Sequence, residues 1–280
     1  MTFGTLAAKD NDPSVITEFK LAKAAYEADG YLIYDFGFSD DLLADVKRAT
    51  ESIVGTYSRV QDMWRHEAGV KALGAHPDVL ALLGQLYQRR AFPFQTLNFC
   101  VGTQQATHAD SIHFSSQPED FMCGVWVALE DIDMDNGPLH YYPGSHTRPH
   151  ASMAEIKAQT GGDIIGYFAQ AAKSYEKRYG VIKKGQAVIW AANVLHGGDP
   201  IKDKSRSRLS QVTHYYFDDC VYTTPLYETD QPNSYIRYPY DFSRGKYVWS
   251  RKDGKRVWPH MRTVARAHAS NLLKRTPSFK

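Results

Sequence analysis

The stretch Thr107-His108-Ala109-Asp110-Ser111-Ile112-His113-Phe114 places a histidine and a carboxylate two residues apart in a β-prone run. In an extended strand, residues i and i+2 point to the same face, so His108 and Asp110 can both reach one metal ion. His196 is the best candidate for the second histidine, because the strand-like run 188–195 ends there at a glycine turn. Two imidazoles and one carboxylate occupy one face of an octahedral metal and leave the other positions open, which is the ligand set of non-haem Fe(II) oxygenases.

Length and charge set the general class. A chain of 280 residues, 43% of them hydrophobic, can build one domain with a substantial core. The 33 basic and 31 acidic residues nearly balance, so the composition gives no general reason to expect a nucleic-acid or membrane partner. The balance is uneven, because the segment from Arg244 to Lys280 holds eleven Lys or Arg against the single acid Asp253. This segment is either a solvated basic tail or a site for an anionic substrate or partner.

Cysteine usage and the N-terminal region predict a cytoplasmic protein. The three cysteines lie at wide spacings, which argues against a disulfide framework or a structural zinc site. The first thirty residues are charged and interrupted, so we expect no signal peptide, and no apolar run approaches the ~20 residues of a membrane span. We expect a monomer or homodimer that acts on a small-molecule substrate.

The sequence pattern changes near residue 90. Before it, helices predominate: the periodicity predicts helices over 14–29 and 40–53, a strand over 31–36, and a mostly helical segment over 55–90. After it, short aromatic and β-branched runs separated by Gly, Pro and Asn indicate an antiparallel barrel or sandwich with strands at 94–101, 106–114, 122–130, 138–142, 181–183, 187–191 and 208–217. Residues 150–180 read as helix plus loop, and their position suggests a lid over the metal.

Several short motifs follow one another in a specific order along the chain. Asn136-Gly137 is a strong tight-turn signal, because both residues tolerate positive φ. Together the motifs resemble the phytanoyl-CoA dioxygenase (PhyH) family of Fe(II)- and 2-oxoglutarate-dependent oxygenases over roughly residues 15–217. The resemblance is strongest at His108-Ala109-Asp110, at the block from Trp126 to His146 with its Asn-Gly and Pro-Gly-Ser-His turns, at Lys184-Gly185-Gln186-Ala187, at His196-Gly197, and at Arg208 followed six residues later by His214-Tyr215.

The resemblance implies a fold and a domain plan. The fold is a mainly β double-stranded β-helix, a cupin-like jelly roll, with flanking helices and an N-terminal helical layer. Residues 1–280 then form a single domain, in which 1–90 are the helical layer, 91–217 the jelly-roll core with the lid-like insertion 150–180, and 218–280 a C-terminal extension.

The resemblance also implies a chemistry. His108, Asp110 and His196 are then the metal ligands and catalytic centre, with Fe(II), 2-oxoglutarate and O₂ as cofactor and cosubstrates. The reaction releases succinate and CO₂ and hydroxylates an unactivated C–H bond. Halogenating relatives have a small residue where Asp110 stands, so the carboxylate here argues for hydroxylation or a related desaturation or cyclisation.

The distal carboxylate of 2-oxoglutarate needs a cation. A guanidinium binds a carboxylate bidentately, and Arg208 stands twelve residues after His196 on the next predicted strand. Arg206 is its rival, but the family pattern and the strand favour Arg208. Trp126 matches a family position near the cosubstrate, with a core role as its alternative.

Other residues near the predicted site are less determined. Asn98, Gln104 and Gln105 precede the metal-binding stretch, and any of them can hydrogen-bond the cosubstrate. His113 stands an odd number of residues from both ligands, so an ideal strand points it to the opposite face, and we interpret it as structural or substrate-facing. His214 is predicted to pack within its strand.

The sequence also bears on the role of His146 and on the kind of substrate. We interpret His146 as a hydrogen-bonding turn residue. The identity of the substrate stays open, although the aromatic residues around the site suit a medium-sized ligand with apolar surface.

Two other functions compete with a 2-oxoglutarate enzyme. One is a metal-dependent oxygenase or isomerase with the same barrel that does not use 2-oxoglutarate, and in which Arg208 is dispensable. The other is a non-catalytic barrel that binds a small molecule, in which His196 is dispensable for ligand binding.

Overall fold

The structure is a computed structural model that describes residues 2–3, 13–227 and 235–273. The predicted basic tail lies within these ranges only as far as residue 273. The described helices are α1 (Pro13–Asp29), α2 (Asp40–Glu51), α3 (Ala68–Gly74), α4 (Pro77–Tyr87), α5 (Met153–Thr160), α6 (Ile164–Ala172) and α7 (Met261–Leu273). None of them combines the length and apolar character needed to cross a membrane.

The described strands are mostly short, and the longest is β4. They are β1 (Thr2–Phe3), β2 (Tyr31–Asp35), β3 (Arg59–Gln61), β4 (Ala91–Phe99), β5 (Ser115–Gln117), β6 (Met122–Ala128), β7 (Leu139–Tyr141), β8 (Arg178–Tyr179), β9 (Gln186–Ala191), β10 (His196–Gly198), β11 (Ser210–Phe217), β12 (Val221–Thr223), β13 (Tyr240–Asp241), β14 (Lys246–Tyr247), β15 (Arg251–Lys252) and β16 (Lys255–Arg256).

Two sheets face each other across a cavity. The large sheet has the order β1-β2-β9-β6-β11-β4-β3 and is antiparallel except for the β1–β2 pair. The small sheet has the order β10-β7-β8, and β12 pairs with β5 beside it. The cavity is lined by residues of both the large and the small sheet. This arrangement is the predicted jelly roll.

The N-terminal helices cover the outer face of the large sheet. Helix α2 begins after Ser39, whose hydroxyl accepts a hydrogen bond from the backbone N–H of Leu42 (3.3 Å), and this cap satisfies one of the free donors of the first turn. Its buried side chains Leu43 and Val46 join the main core. From the sheet, Tyr215 donates its hydroxyl to the carbonyl of Gly74 in α3 (2.8 Å), which fixes the helical layer to β11.

One predicted strand is wrong in a way that matters for function. The segment 106–114 pairs only through an isolated bridge between His108 and His196, after which the residues from Asp110 to Ile112 form a 3₁₀ turn. The turn is closed by the backbone N–H groups of His113 and Phe114, which both donate to the carbonyl of Asp110 (2.9 and 2.8 Å). Period-two reasoning therefore holds up to Asp110 and fails after it.

Other predicted elements shift or change type. The segment 181–183 contributes only the isolated bridge of Ile182 with Ile132. The segment 55–90, predicted mostly helical, contains α3 and α4 but also the edge strand β3, which pairs with β4. Edge pairing depends on a partner distant in sequence, so helical periodicity nearby does not reveal it.

The insertion at 150–180 forms α5 and α6 and packs beside the stretch that holds the predicted ligands His108 and Asp110. Ile156 of α5 and Phe168 of α6 are buried in a cluster with Ala109, Ile112 and Leu195. These contacts support the 3₁₀ turn from outside the cavity, and closure over the metal stays a prediction.

Candidate active site

The three predicted ligands come together on one side of the cavity. His108 and His196 exchange both backbone hydrogen bonds (2.9 Å each), and their ring centres lie 4.4 Å apart. Asp110 follows at the start of the 3₁₀ turn, with Oδ1 3.7 Å from Nε2 of His108 and Oδ2 3.8 Å from Nε2 of His196. One ligand atom from each of the three lies within 4.8 Å of the others, so together they can hold a metal ion.

Backbone carbonyls orient both imidazoles. Nδ1 of His108 donates to the carbonyl of Ala106 (2.9 Å), and Nδ1 of His196 donates to that of Val194 (3.0 Å). Since a carbonyl only accepts, each Nδ1 carries the proton and each Nε2 presents its lone pair to the shared position. Burial, and next the neighbouring His108, lower the pKa of His196 to about 4, which keeps its imidazole in the neutral form that a metal requires.

Asp110 is held by residues that the sequence analysis did not assign to it. Trp190 donates its indole N–H to Oδ2 of Asp110 (2.9 Å), and Nε2 of His214 lies 3.5 Å from the same oxygen. Burial by itself raises the pKa of Asp110, but the surrounding histidines, His196 first, outweigh it and hold that pKa well below its usual range. His214, predicted to pack within its strand, instead lines the cavity.

Gly124 makes the Trp190 contact possible. In the large sheet Gly124 pairs with Trp190 on one side and with His214 on the other. A Cβ atom on Gly124 would lie 2.4 Å from the indole ring of Trp190. Any larger residue therefore displaces the indole that holds Asp110.

Arg208 is a buried cation in the lining of the same cavity. It is 1% exposed, and its guanidinium carbon lies 5.3 Å from the ring centre of Trp126 and 5.7 Å from that of Phe99. Its Nε and Nη1 have no hydrogen-bond partner among the described residues. Burial lowers the pKa of Arg208 to about 10, so the group is still protonated at neutral pH. A buried guanidinium with free donors is a site for an anion.

The rival arginine has a different role. Nη1 of Arg206 donates to both carboxylate oxygens of Asp133 (2.8 Å each) in a partly exposed ion pair. Arg206 does not line the cavity, whereas Arg208 does. The preference for Arg208 from the sequence therefore agrees with the geometry.

The remaining residues predicted to contact the cosubstrate do not all line the cavity. Trp126 and Gln105 line the cavity, and the Gln105 amide donates to Nε2 of His108 (3.2 Å), a hydrogen bond that a metal on this nitrogen would replace. Asn98 does not line the cavity, and the expectation for it is corrected: its Nδ2 donates to the hydroxyl of Thr50 in α2 (3.0 Å) on the outer face of the sheet. Alternation along β4 puts Asn98 on the face opposite to Leu97, which lines the cavity.

Two further histidines can be placed. His113 lines the cavity, because the 3₁₀ turn removes the alternation that pointed it away, so of its two interpretations the substrate-facing one fits. His146 pairs through Nε2 with the carbonyl of Glu27 (3.1 Å), in agreement with its interpretation as a hydrogen-bonding turn residue.

Comparison with known proteins assigns the family. The family model described as phytanoyl-CoA dioxygenase (PhyH) matches residues 26–208, which is more than half of the chain. The chain belongs to the phytanoyl-CoA dioxygenase family. Among curated relatives, the zebrafish (Danio rerio) phytanoyl-CoA dioxygenase domain-containing protein 1 is 32% identical over 99 residues, 34% of either chain. The bovine (Bos taurus) peroxisomal phytanoyl-CoA dioxygenase is 25% identical over 169 residues, 59% of this chain and 48% of that one.

The match to these family relatives covers between about a third and a half of their length. Solved structures share the fold. The epimerase SnoN in complex with Fe³⁺, alpha ketoglutarate and nogalamycin RO superposes with a TM-score of 0.63 at 17% identity, covering 87% of this chain and 98% of that one. EctD from S. alaskensis with 2-oxoglutarate and 5-hydroxyectoine gives a TM-score of 0.54 at 18% identity, covering 70% and 74%.

Proposed function

We propose that the protein is an Fe(II)- and 2-oxoglutarate-dependent dioxygenase that hydroxylates an unactivated C–H bond of a small-molecule metabolite. The observation that carries this proposal is the pairing, in one cavity of about 430 Å³, of the His108, Asp110 and His196 cluster with the buried and unpartnered Arg208. When bound, Fe(II) supplies, with 2-oxoglutarate and O₂, the oxidising chemistry that releases succinate and CO₂ and hydroxylates the substrate.

The donor set fits this metal. Two neutral imidazole nitrogens and one carboxylate oxygen suit Fe(II), and no thiolate lines the cavity among the described residues. Because the carbonyls of Ala106 and Val194 hold both Nδ1 atoms, the two Nε2 atoms are oriented before any metal arrives. The protein therefore supplies a preformed site with one charged ligand, Asp110.

Arg208 is the residue that separates this function from its rivals. The free donors of Arg208 can grip the distal carboxylate of 2-oxoglutarate bidentately, while Trp126 flanks the guanidinium. A buried charge with unpaired donors is unfavourable for folding alone, so its presence favours an enzyme that binds a dianionic cosubstrate over a barrel that does not. Hydroxylation is the proposed outcome because Asp110 occupies a coordination position that a halide needs.

The decisive experiment is an anaerobic titration. Fe(II) and 2-oxoglutarate are added to metal-free wild type, His196→Ala and Arg208→Gln, and the visible spectrum is recorded. We expect a weak charge-transfer band in the wild type, its loss in His196→Ala, and a higher 2-oxoglutarate requirement in Arg208→Gln.

Two other outcomes point to the rivals. Iron binding without a band supports the oxygenase or isomerase that does not use 2-oxoglutarate. No iron binding at all supports the non-catalytic barrel. Melting temperatures of the variants serve as the folding control.

A further inference from the structure

A second arginine lines the same cavity. Arg59 lies on the edge strand β3 and is exposed, and its side chain has no salt bridge or hydrogen bond among the described residues. The sequence pattern does not reveal it, because the short strand β3 falls in a segment predicted to be helical. Its position depends on pairing with β4, in which Arg59 stands opposite Phe99.

The sheet register places Arg59 in a polar strip. Directly opposite residues of an antiparallel pair point to the same face, so Arg59 and Gln61 share the cavity face with Phe99 and Leu97. On β4, two residues before Leu97, Gln95 pairs with His214 in the row that reaches Asp110. Gln95, Gln61 and Arg59 thus run diagonally across the cavity face, from the row that contains His214 to the edge of the sheet.

With a divalent metal and 2-oxoglutarate bound, Arg59 would be the one charged residue of the described cavity lining without a counter-charge. Among the described residues that line the cavity, the charged ones are Arg59, Arg208 and the single acid Asp110. A divalent ion and Arg208 are balanced by Asp110 and the two carboxylates of 2-oxoglutarate. Arg59 is then the one charge in the lining without a counterpart, beside two glutamine amides that can donate hydrogen bonds.

We propose that the substrate is a small polar anion whose carboxylate or phosphate monoester binds Arg59, with hydrogen-bonding groups directed to Gln61 and Gln95. This inference rests on the proposed function and names the substrate class of that site. The volume of about 430 Å³, shared with 2-oxoglutarate, lies toward the small end of ligand sites and suits a compact metabolite. An arginine gives such a group two parallel charge-assisted hydrogen bonds.

The test is a panel of matched substrates. Short hydroxycarboxylic acids are each paired with their primary amide and their coenzyme A thioester, and sugar phosphates with the free sugars. Succinate release with saturating 2-oxoglutarate is scored above the substrate-free background. We expect at least one free anion to stimulate release, with kcat/KM about tenfold or more above that of its neutral partner.

Variants of Arg59 test whether this residue causes the preference for the anionic substrate. Arg59→Gln should erase the preference for the anion, mainly through KM, and Arg59→Lys should restore part of it, because the charge returns without the bidentate geometry. The matched control is Arg48→Gln, which removes an exposed arginine of α2 that pairs with Asp45, and should leave the preference unchanged. Affinity for 2-oxoglutarate, read from the anaerobic band, should change less than twofold in Arg59→Gln.

Results that contradict this inference can be distinguished from results that contradict the proposed function. Equal use of neutral partners, preference for the thioesters, or an anion preference that survives Arg59→Gln overturns the inference. So does a loss of 2-oxoglutarate affinity in Arg59→Gln comparable to that in Arg208→Gln, since Arg59 then serves the cosubstrate. A wild type that shows the band but is stimulated by no anion also counts against it, whereas a missing band is a failure of the proposed function itself.

Discussion

The two faces of the large sheet bury polar side chains in opposite ways. On the face toward the helices, two buried amides have partners: Gln211 donates to the carbonyl of Val70 (3.1 Å), and Asn98 to the hydroxyl of Thr50 (3.0 Å). On the cavity face, Arg208 keeps two donors without partners among the described residues. Unpaired buried polar groups cost free energy that a ligand can recover. The amides of Gln211 and Asn98 therefore stabilise the fold, whereas the charged guanidinium of Arg208, with its free donors in the cavity lining, is available to a ligand.

The largest effect is expected from removing the carboxylate of the cavity face. Asp110→Gly should reduce the proposed hydroxylation to the background of the assay, because it removes the only charged residue of the proposed ligand set. Product formation by mass spectrometry and Fe(II) titration measure the two losses. A near-normal product yield would refute the assignment of Asp110 as a ligand.

Arg208→Gln should separate binding from stability. We expect 2-oxoglutarate affinity to fall about tenfold to a hundredfold, since a bidentate charge-assisted pair is lost. The free energy of unfolding without cosubstrate should not decrease, because a buried unpaired charge is removed as well. Anaerobic titration and urea unfolding give the two values. The matched control is Arg206→Gln, whose arginine pairs with Asp133 outside the cavity and should leave affinity unchanged.

The contact between Trp190 and Asp110 should tune metal affinity. Trp190→Phe removes the indole donor and should weaken Fe(II) binding about tenfold to a hundredfold, the usual range for groups that orient a ligand. Gly124→Ala should act through the same contact by displacing the indole. In the double variant the losses should be less than additive. Additive losses would mean that Gly124 acts elsewhere.

The smallest effect on activity is expected on the helix face. Gln211→Leu leaves the carbonyl of Val70 and the amide of Asn98 each short of one partner, so the free energy of unfolding should fall by about 1–3 kcal/mol. Affinity for 2-oxoglutarate should stay within twofold of wild type. A large loss of affinity at preserved stability would remove the distinction between the faces.

Sequence alone predicted the parts of the site that depend on local spacing. The His-x-Asp pair, the histidine before a glycine turn and the arginine just before the next long strand each carry a short-range signal, and the structure brings all of them to one cavity. The jelly roll followed from strand patterning together with the family resemblance.

Features set by distant contacts were missed. Trp190 reaches Asp110 only because Gly124 leaves room for its indole. Gly124 is distant from Trp190 in sequence and lies opposite it in the β6–β9 pair. Asn98 was assigned to the wrong face because residue type does not tell which alternate side chains of β4 point into the cavity. Arg59 was missed because an edge strand of three residues is too short to show a period.

The bridge between His108 and His196 has a consequence for the continuity of the chain. The insertion between the two ligands contains Gly161 and Gly162, both exposed, between α5 and α6. A protein cleaved there carries His108 and Asp110 on one fragment and His196 and Arg208 on the other. A bound metal would then link two separate polypeptides that the interleaved strands of the large sheet already hold together, so enzyme turnover would report their correct reassembly.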